Sequence, residues 1–210
     1  MDEFSIIDKY FSGIGFLHSS VAVGTGDDCA VLNVPIDNEL CTSTDTLISG
    51  VHFPLACSGE IVAHRALVAN LSDLAAMGAS PIGFLLSLSI PEAVDSWLAS
   101  FANRLSELSK IYRIMLVGGN MAKGPLSVTI TVLGTVPRGA SLRRSSAQVG
   151  EAIFVTGELG KAAAGLKVVE EELKAHDSLK AAYLYPSPQI EFAQELRRHA
   201  SACILSLIHI

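Results

Sequence analysis

Short apolar runs that alternate with amphipathic segments predict an α/β (α+β) fold for this chain. The most regular strand pattern lies at 127–136, where Val128, Ile130 and Val132 alternate with threonines. The most regular helical pattern follows Asp95, where an apolar stripe recurs at helical spacing. With 210 residues, half of them apolar, the chain can bury a sizeable core.

The N-terminal residues predict a short amphipathic helix at 3–11 that ends at Ser12-Gly13. A loop with several glycines follows and leads to Asp27 and Asp28. Such a loop could fold over a ligand or serve as an ordinary linker, and the sequence favours neither interpretation.

Two short apolar runs at 29–34 and 40–46 predict a β-hairpin, because the residues between them have turn chemistry. Asp28 begins the first run and Asp45 closes the second. In an antiparallel pair these two acids would lie at the same end of the sheet and could share a site.

Residues 60–77 follow a helical period and precede Gly78, a suitable residue for the end of a helix. Asp73 falls in the last turns, where the helix dipole disfavours a carboxylate, and Asn70 lies one turn away on the same face. We therefore interpret Asp73 as a cation ligand, with a solvated surface acid as the alternative.

The middle of the chain predicts a buried strand at 84–90, a helix capped by Asp95, and a short strand at 114–117. That strand runs directly into Gly118-Gly119-Asn120. Paired glycines let the backbone approach a ligand closely, and their N–H groups can bind phosphate oxygens.

Beyond a polar boundary at 138–150, the sequence predicts a strand at 152–156 and helices at 161–173 and 190–198. The glycine turn before the first helix suits anion binding, but it lacks the spacing of a P-loop, and a capped structural helix is favoured. The apolar tail at 203–210 leaves these helices short of packing partners, so we expect poor packing after about residue 150.

The net charge of −6 argues against a nucleic-acid partner, because a phosphate backbone demands clustered lysine and arginine. The small basic cluster at 138–144 could instead hold one phosphate group. The four cysteines form no CxxC pair, which indicates neither a zinc site nor a disulfide framework and favours reduced thiols in the cytoplasm. We find no signal peptide or membrane-spanning stretch and expect no membrane partner.

Acidic residues recur where apolar segments end, which is where a hard cation could meet several oxygen ligands. Mg²⁺ keeps several waters and takes its other ligands from a few side chains and substrate phosphates. The sequence therefore predicts a magnesium–nucleotide site. The alternative is that these residues only mark turns, since Asp and Asn side chains bond their own backbone there.

Several motifs together resemble the thiamine-monophosphate kinase family in order and spacing, from about Phe4 to about Ala202. They are Gly26-Asp27-Asp28-Cys29-Ala30, Ser43-Thr44-Asp45-Thr46-Leu47 with Gly50-Val51-His52-Phe53, Asn70-Leu71-Ser72-Asp73-Leu74-Ala75-Ala76-Met77-Gly78-Ala79, and Gly124-Pro125-Leu126. The family belongs to the superfamily of aminoimidazole-ribonucleotide synthetase and selenophosphate synthetase. The resemblance implies an N-terminal mixed-sheet domain with flanking helices that forms a homodimer, followed by a second α+β domain.

The resemblance also implies an activity, namely Mg²⁺-dependent transfer of the ATP γ-phosphoryl group to thiamine monophosphate, giving thiamine diphosphate. His52 resembles a contact to thiamine monophosphate, although a histidine there is by itself more often a packing or surface residue. Nucleotide contacts are implied at Gly119, Asn120 and Arg144, and no catalytic residue is assigned. The implied metal ligands are Asp28, Ser43, Thr44, Asp45, Asp73 and Asn120.

Two departures from the family pattern bear on activity. The family has Gly-Gly-Asp-Thr where this chain has Gly118-Gly119-Asn120-Met121, so an anionic ligand is replaced by a neutral amide. After Ala202 the family continues into an Asp-x-Ser-Asp-Gly motif, whereas this chain has the tail 203–210. We therefore expect a truncated chain, with an N-terminal helix and loop at 1–25, an ATP- and Mg²⁺-binding dimerisation domain at 26–137, and a partial C-terminal domain at 150–210.

The departures leave two alternatives to the kinase activity. One is an inactive fragment that only binds nucleotide or dimerises. The other is an enzyme of the same fold that acts on another small substrate, because a fold alone does not determine function.

Overall fold

The computed structural model describes residues 2–173 and 176–205. The chain begins with helix α1 (Glu3–Ile6), which continues as a π-helical turn (Ile7–Phe11). The Asp2 carboxylate caps α1 by accepting a hydrogen bond from the Ser5 N–H at 2.9 Å. The predicted N-terminal helix is therefore confirmed.

Strands β1 (Val21–Val23) and β2 (Val31–Leu32) follow and form a small antiparallel ribbon. The predicted hairpin between 29–34 and 40–46 is wrong, because β2 pairs with the strand before it and not with the strand after it. Asp28 consequently lies on an exposed loop between β1 and β2, outside the sheet that carries Asp45.

The main sheet has four strands in the order β3-β6-β4-β5. They are β3 (Asn38–Ile48), β4 (Ser80–Ile90), β5 (Met115–Lys123) and β6 (Ser127–Pro137). Strand β6 is antiparallel to both β3 and β4, and β4 is parallel to β5. The sheet is therefore mixed, as the resemblance implies.

Helices α2 (Gly59–Ala76) and α3 (Asp95–Ile111) cover one face of this sheet and bury the main core. They pack closely, since a Cβ atom at Gly59 would lie 2.2 Å from the Trp97 carbonyl oxygen. Gly78 ends α2 with a φ of +68°, as its position in the sequence predicts.

The prediction that Asp95 caps α3 is wrong. Val94 occupies the cap position and makes no side-chain cap, while Asp95 is the first helical residue. The Asp95 carboxylate instead accepts a hydrogen bond from Lys9 at 2.9 Å, which ties the N-terminal turn to α3.

The C-terminal region contains a 3₁₀ turn (Arg144–Ser146) and helices α4 (Lys161–Glu170), α5 (Asp177–Leu184) and α6 (Ile190–Leu196). Helices α4 and α5 pack on each other, and α6 packs on α2. The helices predicted at 161–173 and 190–198 are confirmed with earlier ends, whereas the sequence reading missed α5.

The predicted strand at 152–156 is wrong. These residues form no regular structure, and the Ile153 and Phe154 side chains are 93% and 89% exposed. An isolated extended run is not stable as a strand, since its backbone groups need a neighbouring strand, and none of the described residues supplies one.

Packing after residue 150 is uneven. The exposed run at 152–156 agrees with the expectation of poor packing, but Ile190 and Ala193 of α6 are buried against the main core. Within the predicted apolar tail, residues 206–210 lie outside the described residues.

Candidate functional site

Strand β3 divides its side chains between two environments. Cys41, Ser43, Asp45 and Leu47 are partly or fully buried on the side facing α2, while the alternate residues of the strand are exposed. This separation follows from the two-residue period of a strand. Only the first set can meet side chains from α2.

Two polar residues of α2 hold the buried side of β3. The Ser43 hydroxyl donates a 2.7 Å hydrogen bond to Oδ2 of Asp73, and the Asp45 N–H donates a 3.0 Å bond to Oδ1 of Asn70. Asn70 is fully buried, and its Nδ2 donates to the Ala66 carbonyl at 2.9 Å, which fixes the orientation of the amide. The prediction that Asn70 and Asp73 share a face of one helix is confirmed.

The carboxylates of Asp45 and Asp73 lie close enough to repel each other. Partial burial raises the pKa of Asp45, the negative charge of Asp73 raises this pKa further, and His52 acts in the opposite direction. A divalent cation between the two carboxylates would remove the repulsion. Mg²⁺ binds through one or two carboxylates together with waters and phosphates, so Ser43, Asp45 and Asp73 fit this ion.

A cavity of about 650 Å³ opens beside the Ser43–Asp73 bond. Glu39 and Asp73 contribute negative charge to its wall, while Arg143 and Arg144 contribute positive charge. Both arginine side chains are exposed and can move toward a ligand. The cavity therefore brings together Ser43, Asp73 and Arg144, three predicted site residues from separate segments of the chain.

Asp28 does not join this group. It is exposed on the loop between β1 and β2, where its N–H donates to the Asp27 carboxylate at 2.8 Å. Among the described residues, no three His, Cys, Asp or Glu side chains are grouped so that they could hold a metal ion. The idea that the hairpin brings Asp28 to Asp45 is therefore wrong within one chain.

Thr44 faces away from Ser43 and Asp45. Its hydroxyl donates to the Ile130 carbonyl at 3.2 Å and accepts from the Thr131 hydroxyl at 2.9 Å. The Thr44 side chain thus belongs to the open face of the sheet and does not lie beside the two carboxylates.

Gly119 and Asn120 lie inside β5 and not in a loop after it, which corrects the predicted end of this strand at residue 117. A Cβ atom at Gly119 would lie 1.9 Å from the Leu86 carbonyl oxygen, so close contact between β4 and β5 requires glycine there. Asn120 is exposed, and its register with Ser87 of β4 places it on the open face.

His52 lies in the turn between β3 and α2, and its influence on the pKa of Asp45 shows that the two are near each other. The Ile48 N–H donates to Nδ1 of His52 at 3.0 Å. A neutral His52 ring must therefore carry its proton on Nε2. This nitrogen can donate a hydrogen bond to an anionic ligand.

Arg65 of α2 is a residue that the sequence reading missed. Its Nη2 donates to the His52 carbonyl at 3.1 Å. The available signal was a charged residue within the apolar period of α2, between the buried His64 and Ala66.

In the described part of the chain, no helix has both the length and the apolar character needed to cross a membrane.

Comparison with known proteins places these residues in a family. Residues 26–136 match the family model described as AIR synthase related protein, N-terminal domain. The chain is 43% identical to the thiamine-monophosphate kinase of Escherichia coli K12 over 207 residues, covering 96% of this chain and 64% of that protein.

Two solved structures resemble the fold. Thiamine-monophosphate kinase from Stenotrophomonas maltophilia K279a is 36% identical with a TM-score of 0.83, covering 96% of this chain and 66% of that one. AaThiL complexed with AMPPCP and TMP is 29% identical with a TM-score of 0.75, covering 84% and 58%. The chain thus spans about 64% of the length of the E. coli relative.

Proposed function

This chain belongs to the AIR synthase related protein family through its N-terminal domain, and on that premise we propose that it is a thiamine-monophosphate kinase. It binds ATP and thiamine monophosphate and, with Mg²⁺, transfers the γ-phosphoryl group of ATP to give thiamine diphosphate. The identity to the E. coli kinase supports this substrate, as does the related AaThiL complex with AMPPCP, an ATP analogue, and TMP.

The observation that carries the proposal is the Ser43–Asp73 hydrogen bond next to Asp45, on a cavity that also receives Arg143 and Arg144. Phosphoryl transfer depends mainly on positioning and on neutralising phosphate charge. Two adjacent carboxylates could hold a cation, and the arginines that line the cavity could bind phosphate oxygens.

Individual roles follow from this arrangement. Asp45 and Asp73 would hold Mg²⁺ together with the Ser43 hydroxyl, and Arg144 would bind the nucleotide phosphates. Bound Mg²⁺ supplies charge neutralisation for the phosphates. His52 donates from Nε2 to the phosphate of thiamine monophosphate.

For the remaining predicted site residues, the proposed roles rest only on the resemblance to the kinase family. Asp28, Thr44 and Asn120 are proposed metal ligands, and Gly119 and Asn120 are proposed nucleotide contacts. In the described part of a single chain, their side chains make no hydrogen bond to Asp45 or Asp73.

We also propose that residues 26–137 form a dimerisation domain, preceded by an N-terminal helix and loop at 1–25 and followed by a C-terminal domain from 150, in a cytoplasmic enzyme. The open face of β3 and β6 carries Leu, Ile, Thr and Ser at its alternate positions, with Asn38 and Pro137 at one end, and none of these residues is charged. Leu40 and Ile48 on this face are 48% and 42% exposed. A second copy of the chain that covered this face would bury them.

Thiamine diphosphate formation tests the activity directly. The chain is incubated with ATP, thiamine monophosphate and Mg²⁺, and the product is separated by chromatography and quantified. Product that depends on Mg²⁺ and disappears in Asp73→Asn supports the proposal. Binding of Mg²⁺–AMPPCP without turnover would favour the inactive-fragment alternative, and turnover of a different acceptor would favour another substrate.

The dimer is tested by sedimentation of the chain and of a Thr129→Lys variant. Thr129 lies on the open face, where its hydroxyl bonds Thr46 at 2.8 Å. A buried, unpaired ammonium is costly, so the variant should sediment as a monomer. A monomeric parent chain would contradict the dimer proposal.

A further inference from the structure

Arg65 links two parts of the chain that are far apart in sequence. Its guanidinium donates to the His52 carbonyl at 3.1 Å and also to the Tyr183 carbonyl near the end of α5. The same guanidinium lies over the Tyr183 ring, 4.2 Å from the ring centroid. One side chain of α2 therefore contacts both the turn after β3 and helix α5.

The charge of Arg65 is not explained by an ion pair. Among the described residues, no carboxylate lies within ion-pair distance of it, and its Nε is buried without a hydrogen-bond partner. Burial lowers the pKa of Arg65. Arg65 is only partly buried. A partly buried cation that lacks a carboxylate partner still costs stability, so packing alone does not explain why an arginine occupies this position.

The connection that contains His52 is held at both ends. Arg65 fixes its beginning at the His52 carbonyl, and Trp97 of α3 fixes its end by donating from Nε1 to the Cys57 carbonyl at 3.1 Å. The His52 ring itself accepts a hydrogen bond from the Ile48 N–H. With its carbonyl and Nδ1 both engaged, His52 can direct only Nε2 toward a ligand.

We propose that Arg65 is a positioning residue that holds the His52 turn in its substrate-binding conformation and couples this turn to the Tyr183 end of α5. The inference rests on the proposed function, in which His52 contacts the phosphate of thiamine monophosphate. Arginine suits this task because its planar fork donates in two fixed directions, whereas a lysine ammonium is a point donor. Arg65→Lys therefore keeps the charge but loses the bridge.

Hydrogen exchange tests the coupling without any ligand. The Val51 and His52 amides both donate to the Ile48 carbonyl, at 3.1 and 2.9 Å, so their exchange reports opening of the turn. In Arg65→Lys these amides should exchange roughly tenfold faster. Tyr183→Leu, which leaves α2 intact and removes only the stacked ring, should give a smaller increase in the same direction.

Arg104→Gln is the matched control. The Arg104 guanidinium lies 6.0 Å from the centroid of the Tyr185 ring, and it bonds Nδ1 of His64, whose Nε2 bonds the Pro186 carbonyl. In the described structure Arg104 makes no hydrogen bond to the His52 turn. This variant should leave exchange at Val51 and His52 unchanged. Equal exchange in the parent chain and Arg65→Lys, or equal acceleration in Arg65→Lys and Arg104→Gln, would overturn the proposal.

Binding of thiamine monophosphate, measured by calorimetry, separates this inference from the proposed function. The parent chain should bind, Arg65→Lys should bind roughly tenfold more weakly, and Arg104→Gln should bind normally. Because coupling is reciprocal, the ligand should slow amide exchange at the end of α5 in the parent chain but not in Arg65→Lys. If the parent chain does not bind thiamine monophosphate, the proposed function is refuted, and the ligand-free exchange result alone tests the coupling between the His52 turn and α5. If Arg65→Lys binds as tightly as the parent chain, the role of Arg65 is refuted.

Discussion

Replacing Asp73 with asparagine should change metal binding and metal-free stability in opposite directions. Asparagine keeps an oxygen that can accept the 2.7 Å hydrogen bond from Ser43, so the link between β3 and α2 survives. It removes the negative charge that helps to raise the pKa of Asp45. Without metal, the variant should therefore be as stable as the parent chain, or more stable.

The expected sizes follow from these contacts. Exchanging a charge-assisted hydrogen bond for a neutral one costs about 1 kcal/mol, which relief of the Asp45–Asp73 repulsion offsets. At a Mg²⁺ concentration about 100 times Kd, binding stabilises the parent fold by about 2.7 kcal/mol. If the lost carboxylate raises Kd about 30-fold, the same concentration stabilises the variant by only about 0.9 kcal/mol.

Thermal unfolding with and without Mg²⁺ measures both effects. The difference of about 1.8 kcal/mol corresponds to a Mg²⁺-induced rise in Tm that is smaller by roughly 4–7 °C in Asp73→Asn. Asp8→Asn, an exposed acid on the N-terminal turn, serves as the control and should respond to Mg²⁺ like the parent chain. A large loss of metal-free stability in Asp73→Asn, with an unchanged response to Mg²⁺, would show that Asp73 is structural.

Three further substitutions test the pH dependence, the packing and the nucleotide contact. Burial lowers the pKa of His64 below its ordinary value of 6.5, so the stability that neutral His64 contributes is present above pH 6.5 and is lost as the pH falls. Between pH 7 and 5, the Tm of His64→Gln should therefore fall less steeply than the Tm of the parent chain. Parallel curves of Tm against pH for the two proteins would contradict this. Gly59→Ala places a methyl group 2.2 Å from the Trp97 carbonyl and should cost about 2–3 kcal/mol in urea unfolding, so an unchanged midpoint would refute the close α2–α3 contact. Arg144→Ala should weaken Mg²⁺–AMPPCP binding roughly tenfold in calorimetry and leave Mg²⁺ binding without nucleotide unchanged. If the variant binds the nucleotide as tightly as the parent chain, Arg144 is not part of the site.

Local periodicity was enough to predict the longest helices and strands of residues 60–137 and part of the site, but not α5. The alternation at 127–136 and the helical period at 60–77 fix which side chains share a face, since these periods are properties of the backbone. Asn70 and Asp73 could therefore be placed together before their contacts with β3 were known. The predicted site residues on β3 and in the basic cluster came from the motifs shared with the kinase family, and not from periodicity.

Long-range pairing could not be predicted in the same way. The two runs at 29–34 and 40–46 have acceptable hairpin chemistry, but β3 pairs with β6, and this choice depends on packing against distant residues. Gly118-Gly119-Asn120 has the composition of a phosphate loop, yet Gly119 is explained by its contact with the Leu86 carbonyl. Nothing near Arg65 in the sequence indicates that it reaches Tyr183.

Paramagnetic broadening by Mn²⁺, substituted for Mg²⁺ in the presence of AMPPCP, tests the location of the metal site most directly. As Mn²⁺ is added, the amide signals of Ser43, Asp45 and Asp73 should broaden before other signals. Compared with the parent chain, this broadening should decrease more in Asp73→Asn than in Asp8→Asn. Broadening centred on Asp27 and Asp28, or equal effects of Mn²⁺ on the parent chain and Asp73→Asn, would contradict a metal site between β3 and α2.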